Sequence, residues 1–228
     1  MRFAVNSVSV QPPKFLSSFG RNRGRSLRPY QQQLVDVLLP TLAPNAAAPK
    51  EGFTSLALEI GFGGGEHLLA QAAHNPDTLF IGCEPFINGV AKCLAGIDQQ
   101  KLKNIRLFTR DARELIEALP DACLDSAFIL FPDPWPKLRH NKRRLINAET
   151  LAMLARTHKK GGRLLIATDH VDYSVWILEV LQNNPHYAWT AREQADWKTP
   201  PKDWTETKYQ RKTTEQGREP VFIECVRL

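Results

Sequence analysis

The sequence predicts an α/β fold, a mostly parallel sheet with helices on both faces and an antiparallel closing strand. Three observations carry that expectation. Short apolar runs of strand length alternate with amphipathic helical stretches between residues 56 and 182, and alternation of this kind makes βαβ crossovers and a parallel sheet. A glycine cluster, GFGGG at 61–65, stands where the first run must turn into a helix. Beyond residue 182 the alternation stops, and two last apolar runs separated by a long polar stretch read as an antiparallel pair.

In chain order, residues 1–28 contain Arg2, Lys14, Arg21, Arg23, Arg25 and Arg28 with no acid, among scattered glycines and serines. They read as a disordered basic arm, and they account for the whole formal charge of +6, because bases and acids balance after residue 35. A transit peptide is the alternative, but Pro12, Pro13 and Pro29 break the amphipathic helix it needs. Residues 29–228 are expected to form a single domain. Leu34, Val35, Leu38 and Leu39 have helical spacing, so 29–42 is predicted as a helix on the domain edge, and TLAPNAAAPKEG (41–52) as a linker. Strands are predicted at 56–60, 78–83, 105–109, 124–131 and 163–168, and helices at 66–73, 85–98, 112–119, 145–158 and 171–182. The closing pair falls at 187–190 and 221–227. Between them, residues 196–220 form a long loop carrying Lys198, Lys202, Lys208, Arg211 and Lys212, and a loop of that length is expected to be functional or mobile.

Composition excludes several classes. No window of 18 apolar residues exists, and no apolar segment follows the N-terminal charges, so neither a membrane span nor a secretory signal is expected and the protein is placed in the cytoplasm. Cys83, Cys93, Cys123 and Cys225 show no CxxC spacing and read as reduced core thiols, with no metal expected. Monomer and homodimer both remain open.

The chemistry gathers at the predicted C-terminal strand ends, where open α/β sheets form a crevice. Gly61 and Gly63 would let the backbone approach a ligand there. Glu66 occupies the position where a dinucleotide fingerprint requires glycine, so the loop is a poor pyrophosphate site. Glu59, Glu84, Asp111 and Asp133 all fall near the same predicted edge. Four carboxylates repel one another unless a cationic ligand rich in hydroxyls and amines relieves them. S-adenosyl-L-methionine has those groups, and NAD brings phosphates instead. After Asp133, the run 137–144 (KLRHNKRR) has five Lys or Arg and no acid, an anion footprint.

Residues 56–66 (LALEIGFGGGE), 81–85 (IGCEP), 110–112 (RDA), 131–144 (FPDPWPKLRHNKRR) and 207–209 (TKY) resemble bacterial tRNA (guanine-N7-)-methyltransferases. The resemblance runs from roughly the basic arm to the C-terminus. It implies a Rossmann-like class I methyltransferase fold, tRNA as partner, and transfer of a methyl group from S-adenosyl-L-methionine to N7 of guanine 46 in the variable loop, leaving S-adenosyl-L-homocysteine. By that likeness Glu59, Glu84, Asp111 and Asp133 would contact the donor, with Asp133 catalytic. Lys137, Asp169, Thr207, Lys208, Tyr209 and Gln210 would contact substrate, and Arg139, His140, Asn141, Lys142, Arg143 and Arg144 would touch RNA. Gln210 stands where the family has glutamate. Competing readings are an exocyclic-amine methyltransferase, whose usual turn is N-P-P-Y or D-P-P-Y rather than the D-P-W-P found here, a nicotinamide-dependent oxidoreductase, and a non-catalytic RNA-binding module.

Overall fold

The computed structural model describes residues 24–228. Its centre is a seven-stranded sheet in the order β3-β2-β1-β4-β5-β7-β6. The parallel strands are β1 (Ser55–Ile60), β2 (Thr78–Cys83), β3 (Ile105–Phe108), β4 (Leu124–Leu130) and β5 (His158–Thr168). Strand β7 (Val221–Arg227) runs antiparallel between β5 and β6 (Tyr187–Trp189). The order reverses between β1 and β4, so a crevice opens where their C-terminal ends diverge.

The central strands bury both faces, as their largely apolar runs require. On one face Leu56, Leu58, Ile60, Ile129 and Ile166 pack beneath α4 (Ala112–Ala118), α5 (Ala148–Thr157) and α6 (Val171–Gln182). On the other, Ala57, Phe80, Phe128 and Leu165 pack against α2 (Glu66–His74), α3 (Ile87–Gln100) and the segment 29–42. All four cysteines are buried free thiols. Among the described residues no helix is long and apolar enough to cross a membrane.

Several boundaries depart from expectation for local reasons. The helix expected over 29–42 is three short pieces, α1 (Pro29–Gln33), a π turn (Leu34–Leu38) and a 3-10 turn (Leu39–Leu42). Pro40 lacks an N–H and its ring crowds the carbonyl four residues back, so a regular α ladder cannot continue there. Strand β5 starts at His158, and its pairing with β4 slips between Leu124 and Ser126, so residues 159–162 bulge outward through Gly161 and Gly162. The long loop holds two helices, α7 (Ala195–Lys198) and α8 (Lys208–Glu215). Most of the expected arm, residues 1–23, lies outside the described residues. Gly24 and Arg25 are held on α3, where Asn88 accepts from the Gly24 N–H (2.7 Å) and donates to the Arg25 carbonyl (2.6 Å).

Candidate active site

A cavity of about 390 Å³ opens at the reversal of the sheet, lined by Ile60 at the end of β1, Gly61, Glu84 and Phe86, Asp111, residues 130–133 and Trp135, and residues 142–145. The glycine loop is fixed from below. Gly63 has φ +55°, in the region disfavoured for residues with a Cβ. Its N–H donates to Glu84 Oε2 at 2.9 Å. Gly89 on α3 lets that loop approach, because a Cβ there would stand 2.2 Å from the Gly63 carbonyl.

Glu84 caps β2 and accepts a second N–H, from Phe86, at 2.8 Å. Burial pushes its pKa up, the two backbone N–H groups pull it partly back, and the Asp133 charge raises it again. Asp111 caps α4 through the Arg113 N–H and also takes the Arg113 guanidinium at 3.0 and 2.6 Å. Burial alone would raise its pKa, but the bonds and charge of Arg113 outweigh that and the net shift is downward. Asp133 is exposed on the turn after β4. That turn is unusual: Phe131 (φ +52°) and Trp135 (φ +44°), neither of them glycine, both occupy the left-handed region on either side of Pro132, Asp133 and Pro134.

The structure therefore gathers three of the four expected acids. Glu59 lies one residue inside β1, and period-two alternation turns its side chain to the face opposite Ile60. There it is 2% exposed and lies 2.8 Å from His67 Nδ1. His67 in turn packs edge-on against Phe128 and tilted against Trp204. Local sequence gave no sign of this pair, since His67 reads as an ordinary helix residue.

Among the residues expected at the substrate, Tyr209 meets the turn. Thr207 caps α8 by accepting from the Gln210 N–H at 3.1 Å. The Tyr209 ring lies 5.1 Å from that of Phe131, and its hydroxyl reaches Asp169 at 3.4 Å. Asp169, just beyond β5, is buried and paired with Arg218 at 2.8 Å. Lys208 is largely exposed, 3.8 Å from Glu66. Gln210 is buried, and its side-chain carbonyl accepts from the Trp204 indole at 2.8 Å, so it holds the loop internally.

Lys137 is exposed and precedes a 3-10 turn (Leu138–Arg143). Arg139 and Lys142 on that turn face solvent, while His140, Asn141 and Arg143 are half-buried. The Arg143 guanidinium lies over the Trp135 ring at 5.0 Å, and His140 meets the same ring edge-on. Desolvation and then the charges of Arg143, Arg139, Lys137 and Lys142 lower the His140 pKa. Arg144 differs from its neighbours: it is 5% exposed and points into the protein. Arg110, Arg113, Lys142, Arg143 and Arg144 add cations to the cavity wall that the reading of converging acids did not include.

A family model described as "Putative methyltransferase" matches residues 54–223. The tRNA (guanine-N(7)-)-methyltransferase of Zymomonas mobilis is 45% identical, covering 92% of this chain and 94% of its own. That of Caulobacter vibrioides is 46% identical, with coverages of 95% and 97%. Among solved structures, an antibiotic-related methyltransferase superposes with TM-score 0.52 at 18% identity, over 88% of this chain and 95% of that one. The antibiotic-resistance methyltransferase Kmr gives 0.55 at 18%, over 78% and 89%. These two likenesses concern the fold.

Proposed function

The chain belongs to the tRNA (guanine-N(7)-)-methyltransferase family, and from that membership we propose that it methylates N7 of a guanine in tRNA, at position 46 of the variable loop. The methyl donor would be S-adenosyl-L-methionine. The observation that supports this reading best is the meeting of Glu84, Asp111 and Asp133 on one cavity, whose outer rim is the basic turn after Lys137.

The cavity residues fit the donor. Glu84 is a buried carboxylate made costlier by the Asp133 charge, and a cation or a hydroxyl pair beside it relieves that cost. Gly61 and Gly63 leave backbone room at the loop, and Asp111, oriented by Arg113, is an acceptor for an amino group. When bound, the donor supplies an electrophilic methyl on sulfur. Guanine N7 carries a lone pair and no proton, so the protein needs no general base, and its contribution reduces to orientation and charge placement. Asp133 accepts from the N–H donors of the guanine edge and offsets the positive charge that grows on the purine. Trp135 offers a stacking face. Lys137, Arg139 and Lys142 take phosphates, which positions the RNA without reading its sequence.

The test is incubation of unmodified tRNA with labelled donor, followed by digestion and identification of the labelled nucleoside. The expected product is 7-methylguanosine, with the label depending on the guanine at position 46. A tRNA carrying 7-deazaguanine there lacks the N7 lone pair and should accept no label. Label on that RNA at the same nucleotide would move the reaction to another atom, as the exocyclic-amine reading requires.

A further inference from the structure

We propose that Arg144 is a positioning residue for this reaction: its buried guanidinium, lying over the rings of Tyr173 and Trp176 and donating to the Pro134 carbonyl, holds the turn that presents Asp133. The inference rests on the reading of Asp133 given above. Nε of Arg144 donates to Pro134 O at 2.9 Å, and its guanidinium lies 5.0 Å from each of the two ring centroids. The rings are themselves fixed. The Ile146 N–H donates to the Tyr173 hydroxyl at 3.2 Å, and the Trp176 indole donates to the Ile146 carbonyl at 2.8 Å. The turn, residues 144–146 and α6 thus form one closed unit.

Two features say that this unit does more than fill space. Among the described residues no carboxylate pairs with Arg144, although it is buried. A buried cation with no counterion is costly, and an apolar side chain would fill the same slot without that cost. The second feature is the turn itself. Phe131 and Trp135 are held in sparsely populated backbone conformations, which persist only where the surroundings over-determine them. Pro132 and Pro134 have no N–H to bond. The backbone of the turn is anchored by the Phe131 N–H on the Ala167 carbonyl (2.7 Å) at one end and by Arg144 on the Pro134 carbonyl at the other, besides the ring contacts of Phe131 and Trp135.

The test is Arg144→Met, which keeps length and removes charge and donor, measured beside Asp133→Asn and the double variant. At saturating donor and tRNA, kcat of Arg144→Met should fall about 10²-fold, the scale of a misplaced reacting group. Affinity for tRNA and its salt slope should stay within about twofold of the parent, since the Arg144 guanidinium is turned inward, away from phosphate. In the Asp133→Asn background the same change should cost less than about threefold, because residues that act through one another are not additive. A shallower salt slope with weaker tRNA binding would make Arg144 an RNA-binding residue and overturn the inference, as would full additivity with Asp133→Asn. If Asp133→Asn is impaired and Arg144→Met is not, the inference alone fails; if Asp133→Asn is fully active, the reading of Asp133 fails first. Should Arg144→Met not fold, Arg144→Lys keeps charge and bulk without the planar guanidinium, and its kcat should still fall about tenfold. Parental kcat in the lysine variant overturns the proposal.

Discussion

Asp133 separates a turn residue from a functional one by its charge alone. Asp133→Asn keeps shape and most hydrogen bonding, so a turn role predicts little change in rate. If the carboxylate offsets the cation forming on guanine, kcat at saturating donor should fall roughly 10²-fold or more, with the melting temperature and tRNA affinity near those of the parent. Single-turnover methyl transfer checks it, and a fully active variant would remove the charge argument. At this scale the sequence was legible where local pattern decides. An acid between two prolines after an apolar run had to lie at a strand end, and it does. It was opaque where a side chain's direction decides. Glu59 is near the right edge in sequence but faces His67, and Arg144 closes a basic run yet lies inside. Charge density along a chain says nothing about which member of the run is turned inward.

Elements joined across the sheet respond to acid. His158 begins β5, and its Nδ1 lies 2.6 Å from the hydroxyl of Tyr187 on β6. Burial drives its pKa down to about 4, with a smaller push from Arg227, while backbone hydrogen bonds oppose the shift. The unfolded histidine titrates near 6.5, so between these values the unfolded chain binds a proton that the native state refuses. Stability present above pH 6.5 therefore declines as pH falls toward 4, by on the order of 3 kcal/mol for this group. Urea midpoints across that range should fall more steeply in the parent than in His158→Gln; matching profiles would contradict it. Long, strongly patterned elements such as α3 and α6 were legible from their periodicity. The helix α8 was not, because its mean apolar content is low and it is set by the Thr207 cap and by Trp204 and Phe131 from outside its own span.

For the whole molecule the distribution of charge matters more than its sum. The excess of +6 resides before residue 36, and the Asn88 clamp on Gly24 and Arg25 fixes where that basic stretch meets the body, beside Phe86 on the cavity wall. Deleting residues 1–23 removes Arg2, Lys14, Arg21 and Arg23 and leaves the clamp. The salt slope of tRNA binding should become shallower by up to about 0.7 to 0.9 for each phosphate that the arm no longer neutralises, with donor affinity unchanged. Equal slopes in filter-binding titrations would make the arm a spacer. The parallel part of the sheet was legible because each crossover is local in sequence, and the bare alternation of elements predicted it. The strand order at the far side was less so. β7 comes last in the chain but lies between β5 and β6, so neither neighbour can complete its hydrogen bonding until residues 221–227 exist. During synthesis on the ribosome, Asp133 and the cavity wall emerge well before that strand does, and β5 waits as an unpaired edge able to recruit a foreign strand. A nascent chain stalled before residue 221 therefore exposes β5 as an edge prone to aggregation.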